Sequence, residues 1–352
     1  MMVKKRWLCL AVLLFIFVYT FFYSYRRTQQ RRIHNVDVLC YYRRPLRNSS
    51  IPNFDELKEK ERLSTKRNIF FLETSCSYKR DDEFHLSCRQ ACAVESAARM
   101  NPTDWVHLLF FSPSVPSLGT NELFTVLQSN YSNVNIRRAH LTDYIKGTPV
   151  EKWLTPKLLL SSNWPLIHLS DILRLLTLWK FSGIYLDLDI VVTKSLENFK
   201  NFVGAQDDER IANGVMGFDK DRLGHRLVEE CLTELMKDFR GDLWTHNGPD
   251  IVTKVIQKQC NLESVARMIN SPSCKGFQVF HPSVFYPIPY QEWERYFHDD
   301  LDGQILKLIG KSKIIHVWNK LSKREPVTDK SPYSTVAKQF CPRVFEKCKS
   351  RF

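Results

Sequence analysis

Short, fully apolar runs alternate along this chain with longer stretches of helical period. Asn68-Ile69-Phe70-Phe71-Leu72 is one such run, and Trp105 to Phe111 is a second. Runs of this length without polar alternation predict strands buried on both faces. Val134-Asn135-Ile136-Arg137-Arg138 predicts a third strand, and Cys92 to Met100 between the first two reads as helix. Further on, Leu169, Ile172, Leu173, Leu176 and Trp179 or Lys180 recur at the helical period. Gly183 follows where a helix end favours a left-handed residue. Ile184 to Val192 is β-rich and predicts a central strand, interrupted only by Asp187 and Asp189. Strands separated by helical patterns predict an α/β fold with a mainly parallel central sheet flanked by helices. No internal repeat is visible.

A different pattern precedes this body. Lys4, Lys5 and Arg6 lead into an apolar run from Trp7 to Tyr23, closed by Arg26 and Arg27. Its 17 residues span roughly 26 Å as a helix, near the lower limit for crossing a bilayer. The run ends in Phe21, Phe22, Tyr23 and Tyr25 rather than in the small residues of a cleavage site. The expected organisation is a cytosolic tail over 1–6, an uncleaved transmembrane signal anchor over 7–25, a lumenal stem over 26–67 and a body over 68–352. The stem is rich in Arg, Lys and Glu and reads as a solvated linker, with a charged helix over Asp55 to Arg67.

Charge sharpens that division. The 352-residue chain has a formal net charge of +13, with 15 of its 51 Lys and Arg but only 5 of its 38 Asp and Glu in residues 1–67. The basic excess therefore sits on the tail. A nucleic-acid binder carries it on the folded domain, so that class is disfavoured and membrane proximity is favoured. Asn48-Ser49-Ser50 and Asn130-Tyr131-Ser132 are N-glycosylation sequons, and ten cysteines are many for a reducing compartment. Both features place the body on the lumenal side. Cys9 lies in the apolar run and Cys40 in the stem. The remaining eight are Cys76, Cys88, Cys92, Cys231, Cys260, Cys274, Cys341 and Cys348, an even set that permits four disulfides. Cys260 with Cys274, flanking a short polar excursion, is the first expected pair. The short aromatic-rich span also suits a thin early secretory membrane.

The two aspartates carry the candidate chemistry. In a regular strand Asp187 and Asp189 face the same side. Like charges at a buried strand end are costly unless a cation lies between them. Carboxylate oxygens suit Mg²⁺ or Mn²⁺. The bland reading is an acidic turn at a strand end. Asp171 and Arg174 are three apart on one face of the preceding helix, either as a surface ion pair or as a carboxylate and guanidinium delivered to the same place.

At this point the chain resembles a known family. The stretch His168…Ser170-Asp171…Arg174…Trp179-Lys180-Phe181-Ser182-Gly183-Ile184-Tyr185-Leu186-Asp187-Leu188-Asp189 is similar to the α-1,4-glycosyltransferases, in which a D-x-D strand follows an S-D-x-x-R helix. Asn68 to Ser75, Val94 to Arg99, Asn213-Gly214, Gly248-Pro249, Val284 to Pro289 and His316-Val317-Trp318-Asn319-Lys320 agree in order, so the resemblance covers residues 68 to 342. It implies a GT-A nucleotide-sugar transferase fold in 68–352 and a single-pass type II enzyme of the Golgi membrane. It also implies Mn²⁺, a UDP-galactose or UDP-N-acetylgalactosamine donor, and retaining α-1,4 transfer to a glycolipid or glycan acceptor. By that resemblance Asp189 is the principal metal ligand, Asp187 faces the ribose or shares the metal, and His316 completes the metal shell or touches the diphosphate. Asp171 and Arg174 hold donor sugar hydroxyls, and Glu73 and Thr74 lie by the uracil and ribose. Leu188 departs from the Thr of the galactosyltransferase branch.

Other residues stay open between two readings. His316 is a ligand or a histidine packed among aromatics. His246, Asn247 and Asp250 face the acceptor, or they belong to a helix start in which Pro249 takes the first position. Phe285, Tyr286, Tyr290, Trp293, Tyr296 and Phe297 stack on sugar rings or pack a loop on the core. Two rival functions remain: a haloacid-dehalogenase-type phosphatase with Asp187 as nucleophile, and an inactive membrane-anchored carbohydrate-binding protein.

Overall fold

The first apolar run, Asn68–Glu73, is buried at all six positions and forms the middle of the fold. In this computed structural model, residues 38–43, 51–76, 83–349 and 352 are described. The expected anchor over 7–25, Cys9 and the Asn48 sequon lie outside the described residues. Among the described residues, no helix is long and apolar enough to cross a membrane.

The strands are β1 (Asn68–Glu73), β2 (Glu83–Phe84), β3 (Trp105–Phe110), β4 (Val115–Pro116), β5 (Val134–Arg138) and β6 (Gly183–Leu186), then β7 (Ile190–Val192), β8 (Phe202–Ala205), β9 (Ile211–Phe218), β10 (Gln278–Phe280) and β11 (Ile314–His316). The longer helices are α1 (Glu56–Thr65), α2 (Cys88–Met100), α3 (Leu118–Asn130), α4 (Pro165–Phe181), α5 (Arg222–Lys237), α6 (Ile251–Cys260), α7 (Pro332–Phe340) and α8 (Pro342–Cys348).

Seven strands form one sheet in the order β10-β8-β9-β6-β1-β3-β5. β1 runs parallel to β3 and β6, and β3 to β5, while β9 is antiparallel to both β6 and β8. The sheet is therefore mainly parallel, as the alternation of runs predicts. Helices cover both faces. α2, α3, α7 and α8 bury their apolar sides on one face, and α4, α5 and α6 on the other. The chain steps outward from β1 through β3 to β5, then returns to β6 on the opposite side of β1. Such a reversal opens a crevice at the carboxyl ends of the two strands flanking it. Glu73 ends β1 there, and Asp187 follows β6.

The predicted strand from Ile184 to Val192 is in fact two. β6 stops at Leu186, residues 187–189 turn, and β7 pairs with β11 in a separate two-stranded sheet. The apolar residues on either side of the turn are buried in both strands, so composition alone could not show the break. Ser182 (φ 55°) shares the left-handed region with Gly183 (φ 109°) at the end of α4.

Parts of the expected stem lie on the body. α1 forms as expected from its charges, but Glu59 is buried and accepts from Arg137 Nε at 2.6 Å and Asn135 Nδ2 at 3.2 Å. The Tyr41 hydroxyl donates to the Thr74 carbonyl, and His140 Nε2 lies 2.9 Å from the Arg43 carbonyl. These partners are 30 to 100 positions away in sequence, beyond the reach of local pattern.

The cysteine expectation needs one correction. Cys260 pairs with Cys274 as expected, but Cys40 of the stem pairs with Cys76, and Cys231, on the buried side of α5, is free. Cys88–Cys348 and Cys92–Cys341 bind α2 to the C-terminal segment. Glu95, one turn on, accepts from the backbone N–H groups of Arg343 (3.0 Å) and Val344 (2.7 Å) at the start of α8. The two bridges and the buried carboxylate thus hold one contact.

Candidate active site

The turn after β6 aims two carboxylates into the crevice. The Asp187 N–H donates to the Gly214 carbonyl of β9 at 2.8 Å, which fixes the turn against the sheet. Asp189 is held from the other side, its Oδ2 accepting the Asn319 N–H at 2.8 Å. Its carbonyl accepts the Val317 N–H at 2.9 Å. His316, at the end of β11, is brought in by β7–β11 pairing, and its Nε2 lies 3.2 Å from Asp189 Oδ1 and 3.7 Å from Asp187 Oδ2. One ligand atom from each of the three residues lies within 4.8 Å of the others. The convergence comes from the turn and from β11, not from a shared strand face.

α4 supplies the second layer. Asp171 and Arg174 are both buried, so they are not a surface pair. Arg174 Nη1 lies 3.3 Å from Asp187 Oδ1 and donates to the Asn213 carbonyl at 2.9 Å. Its Nη2 donates to Ser170 Oγ at 3.1 Å and lies 3.6 Å from Asp171 Oδ1. Asp171 Oδ1 accepts from Asn213 Nδ2 at 2.8 Å, and Tyr185 Oη donates to Asp187 Oδ1 at 2.7 Å. The guanidinium thereby links the helix carboxylate to the first aspartate of the turn.

Two glycines make room. A Cβ on Gly214 would meet Asp187 Oδ2 at 2.7 Å and His316 Nε2 at 3.4 Å, and a Cβ on Gly248 would meet Asp171 Oδ1 at 2.5 Å. Either would fill space that the acidic groups now occupy.

The electrostatics separate the carboxylates. Burial pushes Asp171 up to about 6, against the pull of Arg174 and Asn213. Burial acts on Asp187 in the same sense, but the Arg174 guanidinium and His316 outweigh it and hold Asp187 down at about 2. Burial and the neighbouring Asp187 charge raise Asp189, with His316 opposing. Burial alone would lower His316, yet the two carboxylates raise it. His316 Nδ1 accepts the Trp318 N–H at 3.1 Å, so the proton sits on Nε2 between the carboxylates. With Nδ1 unprotonated the imidazole is neutral, so the two carboxylates leave negative charge that a divalent cation would neutralise. Two carboxylates and an imidazole, hard oxygens with one nitrogen, fit such an ion. Asp187, Asp189 and His316 are the residues that would bind it.

Five predicted residues, Asp171, Arg174, Asp187, Asp189 and His316, are thus brought together. Glu73 and Thr74 sit at the neighbouring strand end, but Glu73 already accepts from the Ser75 N–H (2.7 Å) and Gln90 Nε2, and burial raises it. His246 and Asp250 have partners outside that group. His246 Nε2 lies 2.9 Å from the Asp238 carbonyl, and Asp250 pairs with Arg210 at 2.9 Å. Pro249 lies inside a π-helical turn, His246–Asp250, rather than at the first position of α6. That turn contributes Gly248 to the site. Of the aromatic segment, Phe285, Tyr286, Tyr296 and Phe297 are buried and pack the core, while Tyr290 is exposed.

Asn213 and Tyr185 are site residues without a role in the sequence reading. Asn213 left a signal, being the one polar side chain in an eight-residue strand buried throughout.

Comparison with known proteins gives the relatives of this chain. The profile described as a glycosyltransferase sugar-binding region containing a DXD motif matches residues 87–208, and that of the alpha 1,4-glycosyltransferase conserved region matches residues 220–348. Lactosylceramide 4-alpha-galactosyltransferase of Mus musculus is 33% identical over 291 residues, covering 82% of this chain and 78% of the relative. Alpha-1,4-N-acetylglucosaminyltransferase of Homo sapiens is 29% identical over 294 residues, covering 80% and 81%. Among solved structures, the glycosyltransferase GlyE of Streptococcus pneumoniae TIGR4 aligns with a TM-score of 0.43 at 14% identity, over 80% of this chain and 63% of that one. The relatives do not favour a phosphatase, nor does a first aspartate already engaged by Arg174 and Tyr185.

Proposed function

The chain belongs to the α-1,4-glycosyltransferase family, and from that premise we propose that it is a retaining enzyme of the GT-A type. It moves galactose or N-acetylgalactosamine from a UDP-sugar to the terminal sugar of a glycolipid. The observation that supports this most is the convergence of Asp187, Asp189 and His316 at the β1–β6 crevice, backed by Asp171, Arg174 and Asn213.

Asp187, Asp189 and His316 would hold the cation, Mn²⁺ in this proposal, since their carboxylate oxygens suit it. When bound, it supplies Lewis-acid stabilisation of the negative charge on the departing diphosphate. Arg174 fixes Asp187 in orientation and keeps it ionised. Asp171 and Asn213 present an acceptor and a donor at the wall where the sugar hydroxyls of the donor lie. Glu73 and Thr74 border the nucleoside side of the crevice, Glu73 through the turn it braces. His246 and Asp250 support the loop on the acceptor side. Retention proceeds by front-face attack, in which the leaving phosphate takes the acceptor's proton. The body is lumenal in the Golgi, behind an N-terminal anchor.

The test is a screen of UDP-sugars against lactosylceramide and soluble lactose, following UDP release with and without Mn²⁺. Metal-dependent release from UDP-galactose or UDP-N-acetylgalactosamine, requiring acceptor, is expected. Metal-independent transfer would sink the site assignment. Absence of turnover with every UDP-sugar would instead favour the inactive carbohydrate-binding reading.

A further inference from the structure

Segments next to the site in the chain carry exposed apolar side chains. Leu160 is 38% exposed, Leu243 42%, Trp244 36% and Leu321 48%. They come from three segments that meet. The Asn163 N–H donates to the Gly241 carbonyl at 2.8 Å, and Trp164 meets Trp244 edge-on at 5.3 Å, joining the turn after Leu160 to the loop before His246. Lys320 Nζ lies 4.4 Å from the centre of the Trp244 ring, joining that loop to the segment after His316. Asn319, one residue before Lys320, donates its N–H to Asp189, and Gly248 is four residues after Trp244 and lies against Asp171. The contact between Trp244 and Lys320 therefore joins two segments that each reach the site, and the side chains on them form a rim beside it.

Exposed cations flank the same rim. Lys157 precedes Leu160 on its short helix, and Lys320, Lys323 and Arg324 surround Leu321. Among the described residues no ion pair engages any of the four, whereas Asp242 on the facing loop is paired with Arg240 at 2.7 Å. Leucines and a tryptophan ringed by unpaired Lys and Arg suit one surface above others, the headgroup zone of a bilayer. Apolar side chains enter the acyl boundary there, Trp sits at the interface, and long cationic chains snorkel towards the phosphates of the headgroups. A sugar-stacking platform fits less well, because Lys320 covers one face of the indole, Trp164 covers an edge, and the leucines beside it offer no hydrogen bonds.

We propose that this rim docks on the membrane surface, so that the crevice opens directly onto a glycolipid headgroup. The proposal rests on the glycolipid reading of the acceptor and deepens it. A short-headgroup glycolipid keeps its terminal sugar close to the bilayer, so the catalytic mouth has to meet the membrane.

The experiment uses the full chain reconstituted into vesicles of phosphatidylcholine and phosphatidylserine, with and without bromine on the acyl chains, and with lactosylceramide included. Bromination quenches tryptophans at the interface. The emission lost on bromination is expected to be smaller in Trp244→Phe than in the wild type, and equal losses would overturn the proposal. The second measurement compares transfer to lactosylceramide in the vesicles with transfer to soluble lactose. Leu243→Asp with Leu321→Asp, both exposed, is expected to lower the first on the order of tenfold, as for withdrawing partly buried leucines, and to leave the second unchanged. Equal losses on both acceptors would overturn membrane docking in favour of a sugar platform, and no loss on either would overturn it outright. Absence of all transfer by the wild type would sink the enzymatic reading, and the quenching result would then decide the docking by itself.

Discussion

Replacing Asp189 by Asn separates what the carboxylate does for the fold from what it does for the chemistry. The side chain keeps its size, and an amide oxygen can still accept the Asn319 N–H that Oδ2 accepts at 2.8 Å. The loop after β11 should therefore stay in place. Charge is what changes. Two carboxylates with atoms no more than 4.8 Å apart repel by about 3.5 kcal/mol at an effective dielectric of 20. The neutral His316 donates its Nε2 proton towards Asp189 Oδ1 at 3.2 Å, a hydrogen bond to a charged group of about 1.5–3 kcal/mol. Removing the charge discards both, so the metal-free protein should change in stability by only about 1–2 kcal/mol. A divalent ion loses one of its two anionic ligands with no compensation. Loss of one such electrostatic partner typically costs on the order of 10²–10³ in rate, about 2.7–4 kcal/mol. Thermal unfolding without metal, Mn²⁺ titration in the presence of UDP, and UDP release from the UDP-sugar would be measured on the same preparation. The expected pattern is a near-unchanged unfolding midpoint, weakened Mn²⁺ binding and slow turnover. An Asp189→Asn enzyme with full activity and undiminished metal affinity would refute the reasoning.

Arg174→Lys keeps the charge but not the fork that bridges Asp187, Ser170 and the Asn213 carbonyl; turnover should fall roughly 10- to 100-fold, as expected for loss of one charge-assisted hydrogen bond. Because Arg174 orients Asp187, Mn²⁺ affinity should weaken alongside turnover, and an unaltered metal dependence would show that Arg174 acts on the donor sugar and not through Asp187. Replacing Cys92 and Cys341 together by Ser should lower unfolding stability by about 2–4 kcal/mol, because with Cys88–Cys348 intact the second bridge still closes a loop of roughly ten residues in the unfolded chain; an unchanged denaturation midpoint would show that Glu95 and Cys88–Cys348 suffice. His107 is buried between Asn68 and Asn135, and burial holds it down to about 3 from an ordinary 6.5. Below 6.5 the unfolded chain takes up a proton that the folded chain refuses, so stability should fall as pH drops towards 3, by up to about 1.4 kcal/mol per unit. His107→Gln should flatten that part of the urea-midpoint profile, and identical slopes would refute the assignment.

Much of the fold was legible because its strands are buried on both faces. β1 and β3 appear as nearly uninterrupted apolar runs, and α4 as a helical period, since each element had to satisfy its own burial locally. Asp171, Arg174, Asp187 and Asp189 were legible for the opposite reason: charge in a segment otherwise apolar is costly to bury and marks a place where something compensates it. His316 was named only through resemblance, because the pairing of β7 with β11 that brings it to Asp189 crosses more than a hundred residues.

Tertiary structure alone decided the rest. Whether Asp187 and Asp189 share a strand face or a turn depends on where β6 leaves the sheet, and apolar residues on both sides concealed that point. His246 and Asp250 looked like site residues by sequence neighbourhood, but Asp238 and Arg210 claim them, while the adjacent Gly248 approaches Asp171 because it has no side chain. Cys40 was left out of the disulfide set by its place in a charged segment, and Cys231 was included by counting; only the folding of residues 38–43 onto the turn after β1 pairs Cys40 with Cys76 and leaves Cys231 buried alone. Local sequence fixes what each segment must bury, whereas the partner that satisfies a charge, a thiol or a carbonyl is chosen by which distant segment the closed fold sets beside it.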